Sequence, residues 1–252
     1  MRYLILSDIH ANALALEAVL EHAESQEWER VISLGDLVGY YTEPEQVVQR
    51  VKSLQPEIHI LGNHDIYLLD MLDGNPVPLR EESIVTEVLE KHLNELTPES
   101  IEFLRNASVH HVADDFEAIH GALRNPWEYV TTLQVAQQNF DYLQKRVCLL
   151  GHTHVPKIFA AINSGKGEMW RTVSFRSESG FYRSPPKAKI FFNPGSVGQP
   201  RDGLSLASYA IFDSSTLSFQ LYRVAFDVAE LHRSVKAKSY PEVLALRLMV
   251  GK

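Results

Sequence analysis

Two pairs of residues in this chain share one spacing: Asp8 with His10, and His152 with His154. In extended backbone, side chains two positions apart leave on the same side, so each pair can close on a single cation. Asp36 adds a second carboxylate, Asn63 an amide oxygen and His120 a further imidazole. This set is too rich for one tetrahedral ion, and it contains no thiolate. It suits two divalent metals about 4 Å apart, an arrangement that needs a shared carboxylate and a shared water. Asp36 is the natural bridge. Mixed nitrogen and oxygen donors fit manganese, iron, zinc, cobalt or nickel better than calcium, and the sequence does not choose among them.

Charge counting extends this to a substrate. Two divalent ions bring four positive charges, of which Asp8 and Asp36 cancel two and a bridging hydroxide a third. The remaining charge attracts an anionic phosphoryl group, while the metals lower the pKa of the shared water. Asn63 donates oxygen without spending any of that charge. His64 follows it and, if not itself a ligand, is free to protonate a leaving alkoxide. Asp65 is placed to orient that ring. Arg124 and Arg201 are the candidate phosphate contacts and Tyr40 a candidate stacking surface for a base. A purely surface or sheet-edge role is the alternative for each.

The elements that must position these residues show in a repeated pattern. Six times a short apolar run ends in a polar cluster: LILSDIH, VISLGD, IHILGNHD, EAIHG, CLLGHTH and KIFFNPGS. Buried strands read as near-continuous apolar runs, and ligands in α/β folds gather beyond the carboxyl ends of such strands. The first five clusters should therefore converge. The sixth, with Asn193 and Ser196, carries no good metal ligand and reads as the substrate-side border of the same site.

Between the runs, residues 11–24 are amphipathic with Asn12 as a cap, and residues 44–54 repeat the arrangement with Pro44 in the first turn. Strand–helix alternation predicts a largely parallel sheet over the first half. Residues 66–106 read as a helical insertion able to wall the site, and residues 132–143 as one more helix. After Lys157 the strands are short and separated by turns, which predicts antiparallel pairing. Residues 163–189 read as a hairpin extension and residues 228–248 as a terminal helix. The expected fold class is α/β: two mixed sheets packed as a sandwich and flanked by helices, in a single domain over residues 1–252.

Composition bounds the partners. The chain has 252 residues, 45% of them hydrophobic, and a net charge of −8, so it lacks the basic excess that nucleic-acid polymers or anionic membranes require. No apolar run approaches the roughly 18 residues of a membrane span, and the first residues do not read as a signal peptide. A cytoplasmic protein is the expectation. The one cysteine, Cys148, lies inside an apolar run and reads as a core residue. His22, His59, His92, His110, His111 and His232 lack neighbouring ligands and read as structural. Oligomeric state has no signal here.

At DIH, GDLVG, GNHD, the isolated His120 before Gly121, and GHTH, the chain resembles the calcineurin-like metallophosphoesterase superfamily. The later NPGSVGQPRDG is similar to its small prokaryotic phosphodiesterase branch, which includes enzymes acting on dinucleoside polyphosphates. The matching motifs run from Asp8 to Gly203. The resemblance implies a four-layer β-sandwich flanked by helices, with a dinuclear site at its edge. By position it makes Asp8, His10, Asp36 and His154 ligands of one metal, Asp36, Asn63, His120 and His152 ligands of the other, and His64 the proton donor. It implies in-line attack of a metal-bridging hydroxide on a small-molecule phosphoester. A phosphodiester is the leading substrate class, a dinucleoside polyphosphate or phosphomonoester the alternative, and a non-catalytic scaffold of the same fold the reading from another class. GDLVG lacks the downstream DRG of the protein-phosphatase branch, which argues against phosphoproteins.

Overall fold

In the computed structural model, residues 1–80, 83–163 and 167–252 are described. The first three strands, β1 (Arg2–Leu6), β2 (Arg30–Ser33) and β3 (Ile58–His59), run parallel. They are joined through α1 (Ala13–Ala23) and α2 (Pro44–Ser53). Asn12 accepts the Ala15 N–H at 3.0 Å and so fixes the start of α1, while Pro44, which has no N–H to leave unsatisfied, opens α2. In β1, Tyr3 and Ile5 enter one apolar cluster and Leu4 and Leu6 another. Burial on both faces is why the run is uninterrupted.

The stretch expected to be helical contains α3 (Asn63–Asp73), α4 (Ile84–Glu95) and α5 (Pro98–Arg105), with residues 81–82 outside those described. Ser83 and Thr97 cap the last two through their hydroxyls. Then follow β4 (His110–Val112), β5 (Glu117–Ile119), α6 (Leu133–Phe140) and β6 (Val147–Leu149). The later chain supplies β7 (Lys157–Asn163), β8 (Glu168–Ser174), β9 (Ser179–Arg183), β10 (Lys189–Asn193), β11 (Ala207–Asp213) and β12 (Ser218–Val224). Two helices, α7 (Val228–Ala237) and α8 (Val243–Met249), end it.

The strands form two mixed six-stranded sheets, in the orders β3-β2-β1-β11-β12-β9 and β4-β5-β6-β10-β7-β8. Ile5, Ile32, Leu149, Ile190, Phe192, Phe212 and Phe219 fill the space between them. Outside the first sheet lie α1 and α2, through Leu16, Val19, Val47 and Val51. Outside the second lies α6, whose Phe140 packs at 4.6 Å from Phe191. This is the four-layer sandwich the sequence implied.

Two expected elements differ. Residues 163–189 are not a projecting hairpin: β8 extends the second sheet beside β7, whereas β9 crosses to pair with β12 at the edge of the first. Residues 164–166 lie outside those described. The expected terminal helix over 228–248 is two, because Ser239 takes a left-handed φ of 56° and Pro241, lacking an N–H, cannot continue α7.

For the site, direction matters most. β1, β2 and β3 are parallel in one sheet, and β5, β6 and β10 are parallel in the other. Their carboxyl ends carry all six polar clusters to one edge of the sandwich.

Two histidines outside the candidate donor groups set an acid limit on stability. His59 stacks on Phe103 at 4.4 Å with no hydrogen-bond partner on either ring nitrogen, and burial lowers its pKa to about 4. Burial likewise lowers His92 to about 3, against the pull of the Tyr41 carbonyl. Both folded values lie below the ordinary histidine value near 6.5. The unfolded chain therefore takes up protons first, and stability is lost as pH falls from about 6.5 toward the folded values. Going from pH 7 to 5 should cost about 2 kcal/mol for each of these histidines. Urea unfolding in a chelator at the two pH values checks this: His59→Phe and His92→Gln should each remove about that much of the loss. An unchanged loss in the double variant would refute it.

Candidate metal centre

The ligand candidates are built into strained backbone. Asp8, His10, Asp36, His152 and His154 all have positive φ, between 52° and 68°. Non-glycine residues adopt that region at a cost and keep it only where their surroundings dictate it. Here the surroundings are the neighbouring loops. The N–H groups of Asp8, His10 and Ala11 donate to the carbonyls of Gly35, Asp36 and Leu37 at 2.8 to 3.0 Å, which laces the first loop to the second. The His152 N–H reaches the Asp8 carboxylate at 3.1 Å, and the Gly151 N–H donates to the His120 carbonyl at 2.8 Å.

Side chains from these loops meet in two groups that could each hold a metal ion: Asp8, His10, Asp36 and His154, and Asp36, His120 and His152. Asp36 belongs to both. Its Oδ2 lies 3.6 Å from His10 Nε2 and 3.2 Å from His120 Nε2. Asp8 Oδ1 lies 3.2 Å from His154 Nε2, and the His10 and His154 Nε2 atoms are 3.1 Å apart. Asn63, at the start of α3, is buried with its Oδ1 lacking a hydrogen-bond partner among the described residues. A buried oxygen with no partner is a free donor atom.

Outer contacts aim the rings. His10, His120 and His154 each hold a backbone carbonyl at Nδ1, those of Val38, Leu34 and Gln199, at 2.9, 2.7 and 2.6 Å. An Nδ1–H donated there leaves the Nε2 lone pair facing inward, the usual support of a metal-binding imidazole. His120 Nε2 has no hydrogen-bond partner. His152 is reversed: Nε2 turns toward the Trp127 carbonyl at 3.4 Å, so Nδ1 is the nitrogen it has to offer.

Electrostatics shows what this cluster demands. Burial opposes a charged His120, yet Asp36 and Asp8 outweigh it and raise the pKa to about 10. Burial also opposes ionised Asp8 and Asp36, but the surrounding imidazoles hold both well below the carboxylate range. Two buried anions recruiting protons onto a neighbouring ring is a site that calls for cations, and the donor set fits divalent metal.

His64 sits beside the centre, not among the donors. Its ring packs against His10 at 4.8 Å and Tyr40 at 4.7 Å, and its Nδ1 has no hydrogen-bond partner among the described residues. Gly39, at φ 90°, makes room: a Cβ there would fall 2.3 Å from that Nδ1. The loop is held from behind by His92 of α4, which accepts the Gly39 N–H at 3.2 Å and meets the Tyr41 carbonyl at 2.7 Å. The helical stretch thus contributes a buried prop to the site's floor. No sequence signal marked His92, since its partners are backbone atoms some fifty residues earlier.

Asp65 is placed differently from expectation. Both of its oxygens are taken by backbone N–H groups, those of Gly62, Asp36, Leu37 and Val38 at 2.8 to 3.2 Å, and it does not orient the His64 ring. Burial and then the Asp36 charge push its pKa up to about 7, against the pull of those amides. Gly62 beside it must be small, because a Cβ would lie 2.0 Å from Asp36 Oδ1. Asp65 therefore sets the backbone that presents Asp36.

The substrate candidates divide. Arg124 pairs with Glu128 in an i,i+4 bridge and its backbone N–H donates to Asn139, so it is engaged on its own loop. Arg201 lies against the centre: its guanidinium donates to Tyr40 Oη at 3.0 Å and Gln199 Oε1 at 2.8 Å, and its Nε is buried without a partner. Tyr40 packs on His10 at 4.4 Å as well as on His64. The NPGS turn is an inner strut and not a substrate border. Asn193 donates to the Gly151 carbonyl and to Thr153 Oγ1, and the Ser196 hydroxyl donates to the Asp8 carbonyl at 2.7 Å.

Three aromatic residues at the rim escaped the sequence reading. Tyr129 stacks on His152 at 3.8 Å, and Trp127 stacks on Tyr67 of α3 at 5.8 Å. The available signal was the aromatic-rich NPWEYV, which begins five residues after His120. The other histidines are structural: His22 meets Tyr209 Oη at 2.8 Å, His110 pairs with Glu117 and His232 with Glu242, both at 2.9 Å. Cys148 is buried, and burial raises its thiol pKa, which leaves it a core residue. Among the described residues no helix is long and apolar enough to cross a membrane.

With this geometry in place, known proteins can be set beside it. Residues 1–217 match the calcineurin-like phosphoesterase superfamily domain. An uncharacterized protein of Methanocaldococcus jannaschii is 30% identical over 257 residues, covering 98% of this chain and 97% of that one. The crystal structure of a metallophosphoesterase from Sphaerobacter thermophilus superposes with a TM-score of 0.84 at 32% identity, over 100% of this chain and 99% of that one. A symmetrical bis(5′-nucleosyl)-tetraphosphatase of Dechloromonas aromatica is 25% identical over 135 residues, covering 53% of this chain and 48% of that protein.

Proposed function

This chain belongs to the calcineurin-like phosphoesterase superfamily, and from that premise we propose that it is a dinuclear metal-dependent hydrolase of small-molecule phosphoesters, with phosphodiesters as the leading class. The observation that carries the reading is the pair of donor groups joined through Asp36, with the unpartnered His64 ring alongside. One ion would be held by Asp8, His10, Asp36 and His154, the other by Asp36, Asn63, His120 and His152. Bound there, divalent ions would supply Lewis acidity toward phosphoryl oxygens and ionise a coordinated water.

The chain's own residues do the rest. Arg201, with a buried N–H to spare and no carboxylate within ion-pair distance among the described residues, takes a non-bridging phosphoryl oxygen. Tyr40 braces that guanidinium and shields the His10 and His64 rings from water. His64 gives its proton to the leaving oxygen. Burial lowers its pKa to about 4, with Asp36 opposing and His154, Arg201 and His120 adding to the fall. An anionic phosphoester against the ring favours the imidazolium, so the substrate itself arms the acid. Asp65 acts only by holding the Asp36 loop and the start of α3.

A dinucleoside polyphosphate is the second reading, supported by the partial identity with the Dechloromonas aromatica tetraphosphatase and by the uncompensated Arg201 charge, which suits a further phosphate. Rates on matched phosphomonoesters, phosphodiesters and dinucleoside polyphosphates, each with chelator and with added manganese or zinc, test the proposal. Metal-dependent turnover fastest on the diester is expected; fastest turnover on the polyphosphate would favour the second reading. No turnover with any metal would leave a binding scaffold.

A further inference from the structure

The rim of the centre is aromatic in a way that metal chemistry does not need. Tyr67 lies one helical turn beyond Asn63 on α3, with its ring 6.3 Å from that of His64. Trp127, on the loop that follows His120, lies nearly parallel to it, with 23° between the rings and 5.8 Å between centroids. The same residue's carbonyl faces His152, so the indole is anchored beside a metal ligand. Trp127 nevertheless keeps 44% of its surface exposed, and Tyr129 on the same loop keeps 46%. Arg201 and Tyr40 stand at the same centre, with Tyr40 packed on His10.

We propose that the exposed side of the Trp127–Tyr67 stack seats a planar aromatic group of the substrate, so that the phosphoesters this site takes are nucleoside phosphates and not alkyl, glycerol or simple sugar phosphates. The inference rests on the phosphoesterase reading above and specifies its substrate. A phosphoryl group at the Asp36 centre is fixed on one flank by Arg201. What extends from it on the Asn63–His152 flank meets flat π faces and the polar atoms around them. An indole already held by one stacking partner and still partly exposed is pre-ordered for a further ring, so little conformational freedom is lost on binding. Every nucleobase has a π face, so this contact selects for the presence of a base while tolerating its identity. An aliphatic chain would gain only area from the same surface.

The competing explanation is a clasp, in which Trp127 and Tyr67 hold the loop to α3 and nothing more. Ligands that differ only in the base separate the two. Calorimetric titration of the metal-loaded protein with adenosine 5′-monophosphate and with ribose 5-phosphate is the measurement. The base should tighten binding roughly tenfold or more. Trp127→Ala should erase that difference by weakening the nucleotide alone, and Trp127→Phe should restore most of it. Equal affinities in a protein that hydrolyses phosphoesters with metal would overturn this inference and leave the phosphoesterase reading standing. Equal weakening of both ligands in Trp127→Ala would establish the clasp instead. Failure of both ligands to bind, with no metal-dependent hydrolysis, would overturn the underlying reading and this one with it.

Discussion

Replacing Asp36 by alanine should lower phosphoester hydrolysis by at least about ten-thousandfold, a loss of about 5 kcal/mol in transition-state stabilisation. Among the described residues no other side chain belongs to both donor groups. The substitution removes a ligand from each, and it removes the negative charge that brings divalent ions to a buried site. It also frees the His64 N–H, which donates to Asp36 Oδ1 at 2.8 Å, so the start of α3 loses a tether. Asp36→Asn separates these effects, since an amide oxygen can still accept that hydrogen bond while lacking the charge. A similar loss in the asparagine variant, with unfolding unchanged, would show that the charge matters and not the tether. Retention of a tenth or more of the wild-type kcat/KM in both variants would rule out Asp36 as a bridge.

His64→Ala should cost about a hundredfold to ten-thousandfold on a diester with an alkoxide leaving group, the range expected for a general acid. On bis-p-nitrophenyl phosphate the cost should fall below about tenfold, because a weakly basic phenolate departs without a proton. The contrast is the informative quantity. A structural role for the ring would lower both rates together, whereas a proton donor lowers only the one whose leaving group needs protonation. The structure supports the donor role through what the ring lacks: its Nδ1 has no partner, and Asp65, the nearest carboxylate in sequence, is committed to four backbone amides. Equal losses on the two esters would count against His64 as the acid.

Most of the residues brought together at the candidate centre were readable in the sequence, for a definite physical reason. Strands buried on both faces must be apolar throughout, so the first polar residue after each run marks where the chain leaves the sandwich. Asp8, Asp36, Asn63, His120 and His152 all stand at such exits. Alternation of those strands with α1 and α2 fixed the parallel order of the first three, because helical crossovers allow little else. The readings that failed concern partners remote in sequence or local pairings too ordinary to notice. Asp65 follows His64 directly, but its carboxylate serves a loop 27 to 29 residues earlier. Arg124 looked like a phosphate contact until Glu128, four residues on, claimed it.

The strands of the 163–189 region could not be assigned from pattern alone. A hairpin and two strands that part to different sheets have the same alternation, and only the pairing of β9 with β12 distinguishes them. The terminal helix is a milder case, since Pro241 announced the break. The aromatic rim was equally visible as residues and invisible as a surface. Tyr67 and Trp127 stand sixty positions apart, and only the sheet order brings α3 next to the loop after His120.

The proposed chemistry requires two metal ions sharing Asp36. The most direct test is the metal content per chain of protein stripped with chelator, reloaded with manganese or zinc, and assayed at each step of loading. Close to two ions per chain at saturation are expected, with turnover rising as the second site fills. Saturation at one ion with full activity, or full activity with none, would contradict it.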